Sequence, residues 1–170
     1  MIVKNEEVLI VKIIEYSSEY NEQIKDLLVE LQNYLIDIDD WHTQVMLPDY
    51  REGNFQMDIR KVNTQEGKIY LAIENDLIVG LIMGVIEGKD EVDKLTNDCA
   101  KTGSVIELIV KNNIRGNGIG KALLKKIEKY FKDIDCKRIN IEVFGPNKNG
   151  LKFYKKNGYI PRDIIVSKRI

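Results

Sequence analysis

The chain has 170 residues, 44% of them apolar, with 26 lysines and arginines against 27 aspartates and glutamates. That length suits one buried core, so we expect a single domain over residues 1–170. The balanced charge excludes a strongly basic nucleic-acid-binding surface, and the apolar content excludes a disordered chain.

Membrane and disulfide classes are also disfavoured. No apolar run approaches the roughly 18 residues of a membrane span, and charged residues interrupt the first segment, unlike a signal peptide. We therefore expect a cytoplasmic protein without a membrane or nucleic-acid partner. Cys99 and Cys136 lack the spacing of a metal site or a disulfide framework. We interpret both as free thiols and predict no metal site.

The first half of the chain predicts a strand, two helices and a hairpin. Val8–Tyr16, "VLIVKIIEY", has the composition of a strand. Apolar residues then recur at helical spacing from Ile24 to Leu35, and an acidic loop leads to a second short helix, "NFQMDIRKV". The following segment, "KIYLAIENDLIVGLIMGVIEG", predicts a hairpin that turns at Asn75 and Asp76, residues that tolerate a positive φ.

The second half alternates strands and helices. "EVDKLTNDCAKTG" is typical of a loop, and "SVIELIV" of a strand. An amphipathic helix is predicted from about Gly118 to Phe131, followed by the strand "KRINIEVF". Asn147 is a candidate cap for a short helix that Gly158 would end, and the tail "DIIVSKRI" predicts a last strand. This order of elements indicates an α+β (mixed α/β) fold.

The segment "ELIVKNNIRGNGIGKALLKKIEKYF" joins a predicted strand to a helix through a glycine-rich loop. Gly116, Gly118 and Gly120 carry no Cβ and permit positive φ, so successive N–H groups can converge on a phosphate. The helix N-terminus and Arg115 add positive charge. The loop therefore predicts an anion site that suits a pyrophosphate.

Two other phosphate motifs fit the loop poorly. A P-loop ending at Gly120 and Lys121 needs a glycine at position 115 and a hydroxyl residue at 122, where the chain has Arg115 and Ala122. A dinucleotide fingerprint needs its third glycine three residues after the second, whereas these glycines are spaced by two. A nucleotide-binding domain is therefore a weakly supported interpretation of the chain.

Two segments together resemble the GNAT-type N-acetyltransferases. "RGNGIG" matches that superfamily's Arg/Gln-x-x-Gly-x-Gly/Ala signature, and "ELIV" ahead of it is similar to the preceding strand. "NKNGLKFYKKNGY" resembles the second signature, Asn-x-x-Ala-x-x-Phe-Tyr-x-x-x-Gly-Phe. The close match runs from Val105 to Tyr159. It implies a mostly antiparallel twisted sheet of six to seven strands with splayed central strands, flanked by about four helices.

The resemblance also implies acetyl-CoA as cofactor. The loop would bind its pyrophosphate through backbone N–H groups, and Leu108 and Val110 would pair with the pantetheine arm, with the Leu108 N–H directed at the thioester carbonyl. Asn147 would contact the cofactor, and Tyr154 would protonate the leaving thiolate. The cofactor-binding residues implied are Leu108, Ile109, Val110, Arg115, Gly116, Asn117, Gly118, Ile119, Gly120, Lys121, Asn147 and Tyr154.

The chemistry favours two catalytic residues, Glu107 and Tyr154. A primary amine with a pKa of about 10 is mostly protonated at neutral pH, so a base must take its proton, and Glu107 is the candidate. A phenol such as Tyr154 can protonate a thiolate. Neither signature contains a cysteine, which favours direct transfer in a ternary complex over an acyl-enzyme at Cys136.

The predicted function is acetyl transfer from acetyl-CoA to a primary amine of a small molecule or peptide. The alternative is a non-catalytic acyl-CoA-binding or regulatory module with the same fold. Asp37, Asp39 and Asp40 lie in a segment where GNAT-type proteins build their acceptor pocket, and there they would favour a cationic acceptor. The predicted last strand could also pair across a homodimer.

Overall fold

The computed structural model describes residues 2–4, 7–9, 11–89, 91–96, 98 and 100–170. Cys99 and Ile10, which fall within the predictions above, lie outside the described residues. The strands are β1 Ile2–Lys4, β2 Glu7–Leu9, β3 Lys12–Glu15, β4 Lys68–Glu74, β5 Leu77–Ile86, β6 Thr102–Val110 and β7 Arg138–Ile141. The α-helices are α1 Asn21–Asp37, α2 Tyr50–Thr64, α3 Glu91–Thr96, α4 Ile119–Asp133 and α5 Lys148–Lys156. Over the described ranges, no helix is both long enough and apolar enough to cross a membrane.

The main sheet has five strands in the order β3-β4-β5-β6-β7. Neighbours from β3 to β6 are antiparallel, whereas β6 and β7 are parallel. The predicted hairpin is confirmed, because β4 and β5 are joined through Asn75 and Asp76 with φ of +48° and +62°. The predicted α+β class with a mostly antiparallel sheet is therefore confirmed.

The sheet opens beside the second half of β6. β7 pairs only with Thr102–Val105, whereas β6 continues to Val110. On its other side, Met83 of β5 pairs with Glu107 while Gly84 pairs with Val105, so Ile106 is the extra residue of a β-bulge. Residues 106–110 thus have β5 on one side and, among the described residues, no strand on the other.

Helices cover both faces of the sheet. One apolar cluster joins α1 and α2 to β4, β5 and Ile109, and contains Ile24, Leu28 and Phe55. A second cluster joins α4 to the opposite face, where Leu123 and Phe131 are fully buried. α5 contributes Phe153 and Tyr154 to the edge of this second cluster. The end of β6 therefore lies between the two clusters.

Several predicted boundaries were wrong. The expected six to seven strands in the central sheet are five, because β1 and β2 pair with each other in a separate two-stranded sheet. The single strand predicted over Val8–Tyr16 is divided between β2 and β3, since the chain passes from one sheet to the other. The loop predicted after β5 contains α3 and the start of β6. The described residues thus form five α-helices rather than the expected four or so.

The tail "DIIVSKRI" is not a strand. Residues 159–170 carry no regular secondary structure, and Ile165 and Val166 are exposed. Arg169 instead donates to the Trp41 carbonyl at 2.6 Å and places its guanidinium 5.2 Å from the Trp41 ring centre. A strand needs a neighbour for its backbone groups, and within the described part of the chain the tail has none. The run of β-branched residues at positions 164–166 was therefore not sufficient to predict a strand there.

Candidate active site

The N-terminus of α4 is an uncapped helix end that follows two left-handed glycines. Gly116 has φ of +86° and Gly118 has φ of +81°, and a Cβ at either position would meet nothing within 4 Å. Backbone conformation, rather than space, therefore requires glycine there. No side chain caps the helix, and its first internal hydrogen bond runs from the Ala122 N–H to the Gly118 carbonyl, 3.0 Å. The N–H groups of residues 119–121 precede that bond and are available to an anion.

Gly120 differs from the other two glycines. It does not have a positive φ, and a Cβ there would lie 3.5 Å from the Phe153 ring, which is ordinary van der Waals contact. Of the three glycines in the loop, only Gly116 and Gly118 thus have the positive φ that favours glycine.

The side chains of the loop mainly fix its shape. Arg115 Nε donates to the Val110 carbonyl at 2.9 Å, and Asn117 Nδ2 donates to the Ile114 carbonyl at 2.8 Å. Ile119 is 2% exposed and anchors the first turn of α4 in the second cluster, whereas Lys121 is exposed. The surface that the loop offers to an anion is therefore largely main chain.

α1 connects this loop to the start of α5. Glu30 accepts a hydrogen bond from the Asn112 N–H at 3.2 Å. One turn later, the Tyr34 ring centre lies 5.3 Å from the Arg115 guanidinium, and its hydroxyl donates to Asn147 Oδ1 at 3.2 Å. Asn147 Oδ1 also accepts from the Gly150 N–H at 2.9 Å, which confirms Asn147 as the α5 cap. Loop, α1 and α5 thus form one connected rim.

The main chain of β6 presents unpaired groups beside this rim. The Lys111 N–H donates to the Val79 carbonyl of β5 at 2.9 Å. Because an antiparallel ladder alternates, the backbone groups of Ile109 also face β5, and those of Leu108 and Val110 face away from it. On that side β7 has already ended. Leu108 and Val110 therefore offer main-chain groups to an extended ligand, and the Arg115 side chain already binds the Val110 carbonyl.

Glu107 lies at the bulge, opposite Met83. Its side chain is partly exposed, yet its pKa is raised to about 8, mainly by burial and further by the negative charge of Asp58, while Lys61 opposes the shift. A carboxyl group that titrates near neutral pH is suited to accept a proton from an amine.

Tyr154 projects from α5 toward the same end of β6. Its ring packs edge-on against Phe153 and Tyr159, with ring centres 5.3 and 5.9 Å away. Burial, and then the charge of Glu107, raise the pKa of the Tyr154 phenol, so the hydroxyl stays protonated at neutral pH. Tyr154 packs in the apolar cluster on the α4 face of the sheet, whereas Glu107 is the cross-strand partner of Met83, which belongs to the cluster on the α1 and α2 face.

Comparison with known proteins identifies the family. Residues 33–159 match the model of the acetyltransferase (GNAT) family, which covers more than half of the chain and both signature segments. The chain belongs to the GNAT acetyltransferase family. The resemblance inferred from "RGNGIG" and "NKNGLKFYKKNGY" is confirmed.

Individual GNAT relatives agree. The chain is 34% identical over 97 residues to an uncharacterised N-acetyltransferase of Methanocaldococcus jannaschii, a match that spans 56% of this chain and about half (54%) of that protein. A putative acetyl transferase from Pyrococcus furiosus has a similar structure, with a TM-score of 0.71 and 25% identity over 94% of this chain and 99% of that one. The enzyme AAC(6')-Iy, solved with a bisubstrate analogue of CoA, shares the fold with a TM-score of 0.64 and 14% identity, over 94% of this chain and 99% of that one.

The acidic segment at the end of α1 contains one carboxylate, that of Asp39, which is buried and hydrogen-bonded within its own turn. Asp39 is 3% exposed, and its oxygens accept hydrogen bonds from the Trp41, Thr43 and Gln44 N–H groups and from the Thr43 hydroxyl. Burial alone would raise its pKa, but these bonds outweigh burial and lower the pKa to about 2. Asp39 therefore organises a turn, whereas Asp37 and Asp40 are exposed.

Sequence reasoning missed Tyr34, Tyr50 and Asp58. Tyr34 falls three residues after Leu31 on the apolar stripe of α1, a position that could have been noticed. Tyr50 and Asp58 belong to α2, which has no motif. Burial, followed by the charges of Glu107 and Asp58, raises the pKa of Tyr50 to about 12. α2 packs against the sheet through Phe55, which shares an apolar cluster with Met83 and Ile109. In the described residues, no cluster of three histidine, cysteine or acidic side chains could hold a metal ion.

Proposed function

We propose that the protein transfers an acetyl group from acetyl-CoA to a primary amine of a small molecule or peptide, directly and in a ternary complex. The observation that carries the proposal is the uncapped α4 N-terminus, with its left-handed glycines, next to the unpaired edge of β6. GNAT acetyltransferases bind acetyl-CoA and act on amine acceptors, and the AAC(6')-Iy structure holds a CoA analogue on the same fold.

The residues present fit acetyl-CoA. Its diphosphate would accept hydrogen bonds from N–H groups of residues 116–121, and Arg115 and Lys121 lie at the same loop to balance negative charge. Leu108 and Val110 would pair with the pantetheine amides through their outward backbone groups. Asn147, which caps α5 and binds Tyr34, stands on the facing rim. Bound acetyl-CoA supplies an activated acetyl thioester.

Glu107 and Tyr154 would then move the protons. Glu107 takes a proton from the acceptor ammonium, which leaves a neutral amine whose lone pair forms the new C–N bond at the acetyl carbon. The Leu108 N–H stabilises negative charge on the carbonyl oxygen. As the C–S bond breaks, Tyr154 would donate a proton to the sulfur, and the second proton of the nitrogen would restore the Tyr154 hydroxyl. One proton is thus released per amide formed.

A thiol-release assay with acetyl-CoA tests this proposal. Polyamines, aminoglycosides, amino acids and peptides with free N-termini are tested as acceptors, and acetylation of the product is confirmed by mass. The proposal predicts acceptor-dependent thiol release with at least one class. CoA binding without turnover across the whole panel would instead support the alternative, a non-catalytic acyl-CoA-binding module.

A further inference from the structure

Asp58 is held beside Glu107 by the packing of α2 on the sheet. Phe55, one turn earlier on α2, is 3% exposed and belongs to the same apolar cluster as Met83 and Ile109. Met83 pairs across β5 and β6 with Glu107. The cluster therefore fixes α2 over the bulge, and Asp58, 4% exposed, faces inward with Phe55.

Asp58 is buried and Glu107 is partly exposed, and neither carboxyl group has an ion-pair partner among the described residues. The only hydrogen bond that the structure gives Asp58 comes from the neutral Asn54 amide, with 3.3 Å between Nδ2 and Oδ2. Burial is the main reason that the pKa of Asp58 is raised to about 6, and Lys61 opposes the shift. Two neutral phenols lie near the pair: burial and then the charges of Glu107 and Asp58 raise the pKa of Tyr50 at the start of α2, and burial and then Glu107 raise that of Tyr154 on α5.

Two unpaired negative charges at close range in a buried place are unfavourable, so such a pair retains a proton into the neutral pH range. An approaching ammonium both lowers this cost and carries the proton that must be removed. A second carboxylate next to the base is thus useful to this reaction, whereas for folding alone it is a disadvantage.

We propose that Asp58 is a positioning residue for the proton transfer. It extends from α2 toward Glu107 on β6, and the two carboxyl groups together hold the proton that the acceptor amine gives up. This inference rests on the proposed function. The step balances, because the pair first releases its retained proton to solvent as the ammonium docks. Then the N–H bond of the ammonium breaks, its proton goes to the carboxyl pair, and its electron pair stays on nitrogen for attack. The proton later passes to solvent.

The pair can be tested in the free protein, without any acceptor. Carboxyl ¹³C chemical shifts of the intact chain are followed from pH 4 to 10, and Glu107 is assigned by its disappearance in Glu107→Gln. We expect Asp58→Asn to lower the midpoint of the Glu107 titration by about one pH unit, because the neighbouring negative charge is gone. An unchanged midpoint in folded Asp58→Asn would overturn the proposal, and Asp58→Ser gives the same test if Asp58→Asn does not fold.

The reverse substitution sharpens the test. Glu107→Gln should leave the Asp58 midpoint within about 0.3 pH units of wild type, because in the wild type Glu107 is already neutral when Asp58 takes up its proton. Lys61→Met, on the exposed side of α2, should shift both midpoints upward. A fall of the Glu107 midpoint in Lys61→Met would contradict the arrangement.

Activity separates this inference from the function on which it rests. With the best acceptor of the amine panel, the acidic limb of the kcat/KM profile, which reports the free enzyme, should move to lower pH in Asp58→Asn by about the same amount as the titration midpoint. CoA affinity should stay within twofold. If the wild-type protein acetylates the acceptor but its pH profile coincides with that of Asp58→Asn, Asp58 has no role in the proton transfer. If the wild type acetylates no amine, the proposed function fails, whatever the titrations show.

Discussion

The cofactor side and the acceptor side of the proposed site are built in different ways. On the cofactor side, main-chain groups of β6, the glycine loop and the α4 N-terminus offer the contacts, and all come from one continuous segment, residues 102–133. On the acceptor side, single side chains come from separate elements: Glu107 from β6, Tyr50 and Asp58 from α2, Tyr154 from α5. Glu107 and Tyr154 fall within the two segments that resemble the family signatures, whereas Tyr50 and Asp58 of α2 have no recognisable motif.

The largest effect is expected at Glu107. Glu107→Gln keeps the size of the side chain but removes the base, and we expect kcat to fall by about 100-fold or more. CoA affinity, measured by calorimetry, should stay within twofold because that affinity comes from the cofactor side. Glu74→Gln, at the end of β4, is the control and should leave both quantities unchanged. Activity near the wild-type level in Glu107→Gln would remove Glu107 from the mechanism.

Tyr154 should give the next largest effect. Tyr154→Phe removes the proposed acid but keeps the ring that packs against Phe153 and Tyr159, so turnover should fall by about 10- to 100-fold with little change in CoA affinity. Tyr159→Phe is the matched control, since its hydroxyl donates to Glu128 of α4 at 3.0 Å. Turnover at the wild-type level in Tyr154→Phe would show that the Tyr154 hydroxyl is not needed.

Gly118 tests the cofactor side alone. Gly118→Val places a β-branched residue at φ of +81°, and the resulting strain displaces the N–H groups at the start of α4. We expect CoA affinity to fall by about 10-fold, with a smaller effect on kcat at saturating acetyl-CoA. Gly120→Ala should weaken binding much less, because that position lacks a positive φ. If both variants bind CoA as the wild type does, the loop does not hold the cofactor.

The smallest effect concerns stability against pH. The pKa of Glu107 is higher in the folded chain than its ordinary value of 4.5, so the protonated group stabilises the fold at low pH. That contribution is lost as the pH rises from about 4.5 to about 8. The free energy of unfolding of Glu107→Gln, measured by urea titration, should therefore exceed that of wild type by about 1–3 kcal/mol at pH 8.5. The difference should shrink toward pH 5. A constant difference across this range would contradict a buried carboxylate.

What the sequence predicted follows the same division. The strand, loop and helix around "RGNGIG" were predicted from local rules, because glycine conformation and helix ends depend on neighbours in the chain. The hairpin at Asn75 and Asp76 and the Asn147 cap were predicted for the same reason. Asp58 escaped prediction, since its position over Glu107 depends on how Phe55 packs α2 against Met83 and Ile109.

The errors also have a physical cause. The tail "DIIVSKRI" has the β-branched residues of a strand, but a strand also needs a neighbouring strand to pair with, and no local pattern reports that. Asp39 looked like a ligand for cations because acidic residues cluster around it. The structure instead uses its carboxylate to bind the N–H groups of a tight turn, a role that depends on the exact path of the backbone after α1.

The central claim is that main-chain amides of residues 116–121 bind the diphosphate of CoA. A crystal structure of the chain soaked with CoA tests it most directly. We predict diphosphate oxygens within about 3 Å of at least two of these N–H groups, with the pantetheine arm alongside Leu108 and Val110. CoA bound elsewhere, with the α4 N-terminus contacting only solvent, would contradict the account.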